Sequence, residues 1–223
     1  KTRVLGGSLT AFLVDVSSYF GFIILLGVGW LAYTFWSHYR PNLITGRRQF
    51  MLLSYLKEKQ LFRYYDPFVK LRHSENLVVD SESNSGKQLD KIRQIYAELL
   101  EILDVNLQAD IIYYKSDEIG AFVTTNGTLY LTTAAVESLE DEDETLAALL
   151  SKSISHAYLR HPCQHLTREL SNIELNSVKN LFQKKYDPAV EDVLYQSRFT
   201  IQEEIEADFV AKEILKRSKY RIE

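Results

Sequence analysis

Between Val16 and Trp36 the chain reads VSSYFGFIILLGVGWLAYTFW, 21 residues without a charge. A helix rises about 1.5 Å per residue, so roughly 20 apolar residues cross a hydrocarbon core about 30 Å thick. Tyr19, Trp30, Tyr33 and Trp36 lie toward the two ends of the run, where aromatic rings suit the membrane interface, and Arg40 follows directly. Gly21, Gly27 and Gly29 offer small positions on which another helix can pack closely. The run predicts a membrane-spanning helix over about 16–36, inside an N-terminal segment 1–39 that precedes a larger domain, 40–223. A buried core helix is the alternative, but this run is long for one. No small-residue cleavage site follows, which argues against a signal peptide. The sequence begins at Lys1, which leaves room for an upstream piece, a cleaved targeting peptide among the options. Arg40, Arg47 and Arg48 outnumber Lys1 and Arg3, which favours placing the domain on the positive-inside face, a count that upstream residues would alter.

A chain of 223 residues has room for about one domain plus extras, and an apolar share of 46% supplies a core. The net charge of −4 and the lack of a long basic run argue against nucleic acid as a main partner. Cys163 is the only cysteine, so no internal disulfide forms, and no Cys/His cluster has zinc-finger spacing.

Pro41 and Gly46 break regular structure in a linker over 40–54. The polar stretch 81–86 is expected to be a loop, followed by a helix carrying Leu89, Ile92, Ile95, Tyr96, Leu99, Leu100 and Leu103 on one face. DIIYY (110–114) reads as a strand. AFVTTNGTLYLTT (121–133) reads as a hairpin closed by a type I′ turn at Asn126-Gly127, a simpler reading than the glycosylation sequon that also starts at Asn126. Two short amphipathic helices are expected over 171–196, with a break at Asp187-Pro188. A last helix runs from about Thr200 to Lys216 with Ile201, Ile205, Phe209, Val210 and Ile214 as its apolar face.

The stretch 140–161, EDEDETLAALLSKSISHAYLRH, carries the chemistry. Acidic residues suit a helix N-terminus, and the apolar spacing behind them has the frame of a zinc peptidase helix. In H-E-x-x-H two histidines one turn apart bind zinc and the glutamate activates its water. Here the corresponding residues are Lys152, Ser153, Ile154, Ser155 and His156.

Four segments carry a resemblance. PNLITGRRQFMLLS is similar to a P-x-T-G-R-x-Q lead-in, and GAFVTTNGTLYLTTAAV to an edge-strand hairpin. LEDEDETLAALL is similar to the acidic approach to the zinc helix, and QEEIEADFVAKEIL to Q-E-x-E-A-D-x-x-G. Over about residues 40–219 the chain resembles the membrane-associated gluzincin metallopeptidases, the group of HtpX, the CAAX prenyl protease and especially the Oma-type mitochondrial inner-membrane peptidase. The resemblance implies an α+β, zincin-like metallopeptidase fold, with helices packed on a small mixed sheet that has an edge hairpin, preceded by one transmembrane helix. It implies that Lys152 stands where the first histidine ligand would be and Ser153 where the general base would be. His156 keeps the second ligand position, Glu206 the third, and Asp208 the supporting carboxylate. His161 keeps a following R-H position. Gly120 and Thr124 replace the family's hairpin asparagine and proline, and Pro162 should kink or end the helix.

Lysine is a cation at neutral pH with no lone pair to give a metal. The site is therefore expected to be degenerate: no catalytic residues, no cofactor, and His156 and Glu206 as vestigial ligands. An ion pair from Lys152 to Glu206 is expected to replace the metal's charge, with the sheet edge covered by this chain or a neighbour. Weaker options are a metal held by His161 and His165, Ser153–His156–Glu206 or Ser155–Lys152 catalysis, and Cys163 as a nucleophile. The expected function is that of an inactive accessory subunit of a mitochondrial inner-membrane assembly, a respiratory complex or the ATP synthase, with the lipid bilayer and other membrane subunits as partners. The alternatives are an active zinc endopeptidase of membrane quality control and a stand-alone regulator of a peptidase.

Overall fold

Helix α1 (Val4–His38) contains the uncharged run, and its Tyr19–His38 portion is long and apolar enough to cross a membrane while none of it is buried by the rest of the chain. The computed structural model describes residues 4–42, 45–72, 85–104, 110–139, 142–170, 172–195 and 198–220. The loop expected at 81–84 and the first acidic residues, Glu140 and Asp141, lie outside these. Ser85 and Gly86, expected in that loop, already belong to a helix.

The expected linker is a short antiparallel hairpin. β1 (Tyr39–Pro41) pairs with β2 (Arg48–Phe50), and Gly46 takes φ 65° in the connection, a conformation open to glycine. Phe50 stacks on Phe35 at 4.9 Å, and Met51 N–H donates to His38 C=O, so the hairpin is fastened to the base of α1.

Behind it come α2 (Tyr55–Arg72) and α3 (Ser85–Ile102), the helix read from its apolar spacing. Strands β3 (Ile111–Tyr114), β4 (Ala121–Val123) and β5 (Leu129–Thr132) form a sheet in the order β3-β5-β4. The central β5 runs parallel to β3 and antiparallel to β4, so β3 and β4 are the two edges of this sheet. Side chains alternate across a strand, and both faces here are covered. Val123, Leu129 and Leu131 enter one apolar cluster with α3, α5 (Asp143–Tyr158) and α9 (Ile201–Arg217); Ile112, Phe122 and Tyr130 enter another with α2, α6 (His161–Glu169) and α8 (Pro188–Tyr195). The short α4 (Thr133–Ser138) and α7 (Leu175–Gln183) complete the order, and α7 and α8 are separated at Asp187-Pro188 as expected.

Two details differ from expectation. Asn126 is not at positive φ; Gly127 alone is, at 96°, and its N–H donates to Thr124 C=O. The turn is thus a three-residue connection closed by a glycine bulge rather than type I′. Asn126 is held in it by its own amide, which donates to Asp66 Oδ2 at 2.8 Å. On α9, Val210 and Ile214 are buried, but Ile201, Ile205 and Phe209 are 82%, 57% and 52% exposed. Positions 201, 205 and 209 fall on one helix face and 210 and 214 on another more than 100° away, so the expected single apolar face is two faces.

Candidate functional site

Helices α5 and α9 lie against each other, and the site sits between them. α9 is started by a capping box: Thr200 Oγ1 accepts from Glu203 N–H, and Glu203 Oε2 accepts from Thr200 N–H. α5 ends at Tyr158. Arg160 then adopts the left-handed conformation (φ 60°), and Pro162 falls in the first turn of α6, where its missing N–H costs no helix bond. This break, expected from Pro162, turns the chain so that His161 faces back onto α5.

His156 and His161 meet Nδ1 to Nδ1 at 2.9 Å, and His161 Nε2 lies 3.4 Å from Glu206 Oε2. A carboxylate only accepts, so His161 Nε2 carries a proton and its Nδ1 accepts from His156 Nδ1–H. Phe199 covers His156, stacked at 3.9 Å. Burial, with the charges of His161 and Lys152 adding to it, pushes His156 down to about 3, and burial also lowers His161. Both rings are neutral at pH 7.

Glu206 is fully buried, and its oxygens are occupied by donors from the segment after β1. Asn42 Nδ2 donates to Oε2 at 2.7 Å, Thr45 Oγ1 to Oε1 at 3.0 Å, and Arg47 to both oxygens, Nε at 2.8 Å and Nη2 at 3.2 Å. Gln202 adds a long contact of 3.5 Å. Burial acts to raise the Glu206 carboxyl, but the Arg47 and Thr45 hydrogen bonds outweigh it and hold it below the usual range.

Lys152 does not reach Glu206. Its Nζ lies 2.7 Å from Glu204 and 3.0 Å from Asp208, and these bonds raise its pKa. The correction is geometric. Residues 204 and 208 are one turn apart on α9 and share a face, whereas 206 is about 200° round from 204. One ammonium beside α9 can bridge the first pair and cannot also reach the third carboxylate. The positive charge on Glu206 comes instead from Arg47.

The other candidates disperse. Ser153 Oγ donates to the Ala121 carbonyl of edge strand β4 and to Leu149 C=O, which ties α5 to that edge and leaves the hydroxyl away from His156. Ser155 Oγ donates to Ser151 C=O at 2.7 Å and makes no pair with Lys152. His165 faces Arg168 rather than His161. Cys163 is buried and its thiol is pushed up to about 12 by burial, the opposite of an activated nucleophile. Asn42, Thr45, Arg47, Glu204 and Phe199 belong to the site although sequence reasoning gave them no part in it. Arg47 had a signal, since it lies in the lead-in segment that carries part of the resemblance.

The frame is that of a metallopeptidase domain: a ligand-bearing helix packed on a sheet edge, with a second helix bringing a carboxylate. The family model for peptidase family M48 matches residues 87–223, more than half of the chain, and the chain belongs to that family. A search of curated proteins found no match.

The family implies zinc, and the residues present do not fit it. Asn42, Thr45 and Arg47 already donate four hydrogen bonds to Glu206, and the Arg47 guanidinium supplies its positive charge. The first ligand position carries an ammonium. Among the described residues, no group of three or more His, Cys, Asp or Glu is placed to hold a metal ion.

Proposed function

We propose that this M48 member is catalytically inactive and serves as a single-pass accessory subunit of a mitochondrial inner-membrane assembly, a respiratory complex or the ATP synthase. The observation that carries the inactive reading is the bidentate Arg47–Glu206 pair, with Lys152 at the first ligand position and Ser153 at the position of the base. A carboxylate that already accepts four hydrogen bonds, two of them from a guanidinium, is a poor zinc ligand, and a serine hydroxyl is far too weak a base to take a proton from water.

The membrane placement rests on the Tyr19–His38 span. The mitochondrial placement rests on the resemblance to the Oma-type branch. The role as a subunit is supported by the exposed stripe of Ile201, Ile205 and Phe209 on α9, since contiguous apolar surface of this kind suits a protein interface.

Gentle solubilisation, native sizing and identification of co-migrating chains test the proposal. Stoichiometric migration with a large inner-membrane complex is expected. Migration as a free monomer, or about one zinc per chain together with chelator-sensitive proteolysis, would overturn it.

A further inference from the structure

At the base of α1 lies a cavity of about 600 Å³, lined among others by His38, Arg40, Gln49, Met51, Tyr55 and Leu159. Its position is set by the anchor: His38 is the last residue of the span, so the cavity opens at the level where a bilayer meets water. Its size is that of a small-molecule site, and its lining is mostly apolar with a few polar groups.

Two of those groups are opposed. Arg40 and Gln49 are direct partners in the β1–β2 ladder, so their side chains leave the same face of the hairpin. Arg40 is exposed and makes no ion pair among the described residues. Gln49 is only 4% exposed, and neither its Nε2 nor its Oε1 has a hydrogen-bond partner among them. A buried carboxamide with both ends unpaired is costly, and such groups are normally satisfied. The nearby Arg160 and Asn42 cannot serve it, since Arg160 is committed to Glu58 and Leu53 C=O and Asn42 to Glu206.

Among the described residues, no acidic side chain lines the cavity itself, and the nearest carboxylates, Glu58 and Glu206, are already paired, with Arg160 and Arg47. From Val16 to Lys57 there is no acidic residue, while Arg40, Arg47, Arg48 and Lys57 are basic, in a chain whose net charge is −4. Arg47 is used by Glu206, and Arg48 lies over the Trp36 ring at 5.1 Å. Arg40 is the cation left facing the cavity.

We infer that the cavity binds the phosphodiester headgroup of an anionic phospholipid. The Arg40 guanidinium takes the phosphate oxygens, and the Gln49 amide donates to the headgroup and accepts from its hydroxyls. The acyl chains stay in the bilayer beside α1. Basic pockets at the membrane boundary suit such headgroups on electrostatic grounds, and a guanidinium fits a phosphate bidentately.

The test uses the full chain in dodecyl maltoside, stripped of co-purifying lipid. It is titrated separately with phosphatidylglycerol, with phosphatidylcholine of the same chain length and with inorganic phosphate, reading the thermal midpoint and lipid retention by native mass spectrometry. One phosphatidylglycerol per chain and a saturable rise in midpoint are expected, with little from the other two. Arg40→Gln is expected to weaken phosphatidylglycerol by roughly tenfold or more. Gln49→Leu is expected to raise the lipid-free midpoint, because an unpaired buried amide is removed, while weakening phosphatidylglycerol. A merely structural glutamine would not give that pair of opposite signs. Equal responses to the two lipids, or unchanged phosphatidylglycerol affinity in both variants, overturn the inference. An equal rise with inorganic phosphate overturns the lipid as its source and leaves a free-anion site.

Discussion

Arg47 Nε lies 2.8 Å from Glu206 Oε1, and the two residues are 159 positions apart in the chain. The pair fastens the segment that follows α1 to the last core helix. It also settles which cation balances the buried carboxylate. Removing one partner of a buried pair leaves the other charge uncompensated, at about 3–5 kcal/mol. The Arg47 side chain is 38% exposed and Asn42 and Thr45 would remain on Glu206, so Arg47→Ala is expected to cost less, about 2 kcal/mol. Lys152 is 40% exposed and its partners are partly exposed, so Lys152→Ala should cost under about 1 kcal/mol. Denaturant midpoints of the two variants decide it: equal costs would show that Arg47 has no special part in balancing Glu206, and reversed costs that Lys152 is the more important cation.

Metal removal gives a second expectation. With Glu206 occupied by hydrogen-bond donors, zinc is expected to contribute nothing to the folded state, and a chelator should leave the thermal midpoint within about a degree. A ligand that binds only the native state at 100 times its Kd adds about 2.7 kcal/mol, so a structural metal would announce itself as a drop of several degrees on chelation.

How far the sequence reached follows from what periodicity encodes. The apolar helix α1, α3, the β4–β5 hairpin and the break at Pro162 were legible because each is a local pattern: an uncharged run, an i, i+3, i+4 spacing, a turn glycine, an imino ring. The β1–β2 hairpin was not, since three-residue strands carry too little alternation to read. The partner of Lys152 was misread because three carboxylates, Glu204, Glu206 and Asp208, follow one another on α9, and only the azimuth of the packed helices says which faces α5. The role of Arg47 depends on a contact between distant segments, and no local spacing reports that. His161 was placed by motif position, but its turn toward His156 depends on the left-handed Arg160.

That Arg160 yields a third expectation. Its Nε donates to Glu58 at 2.6 Å and its Nη2 to Leu53 C=O at 2.8 Å, while Glu58 also accepts from Thr125. Glu58 is 1% exposed, and burial raises its pKa despite the opposing Arg160 charge. Arg160→Ala would leave this carboxyl buried without its cation and keep the positive φ, at a cost of about 3 kcal/mol. Arg160→Gly should recover only the backbone part, about 1 kcal/mol. If alanine and glycine variants are both as stable as the parent in denaturant, the Glu58 pair contributes nothing to the fold.

The histidines give the pH dependence. His156 is held down at about 3, first by burial and then by the neighbouring His161 and Lys152 charges, and burial lowers His161 and His165 as well. In the unfolded chain each titrates near about 6.5. Below that value the unfolded chain binds protons that the folded chain refuses, so acid favours unfolding. Stability present above about pH 6.5 is lost as the pH falls toward the folded-state values. One histidine lowered this far contributes about 1.4 kcal/mol per pH unit, or about 2 kcal/mol between pH 6.5 and 5. The thermal midpoint should therefore fall steadily from pH 7 to pH 5. His156→Asn, which carries no titrating ring, should show a shallower slope whatever its midpoint at pH 7. A parent profile that is flat across this range, or a variant slope as steep as the parent's, would mean that folded His156 takes up its proton as readily as the unfolded chain does, and that the neutral His156–His161 hydrogen bond does not form.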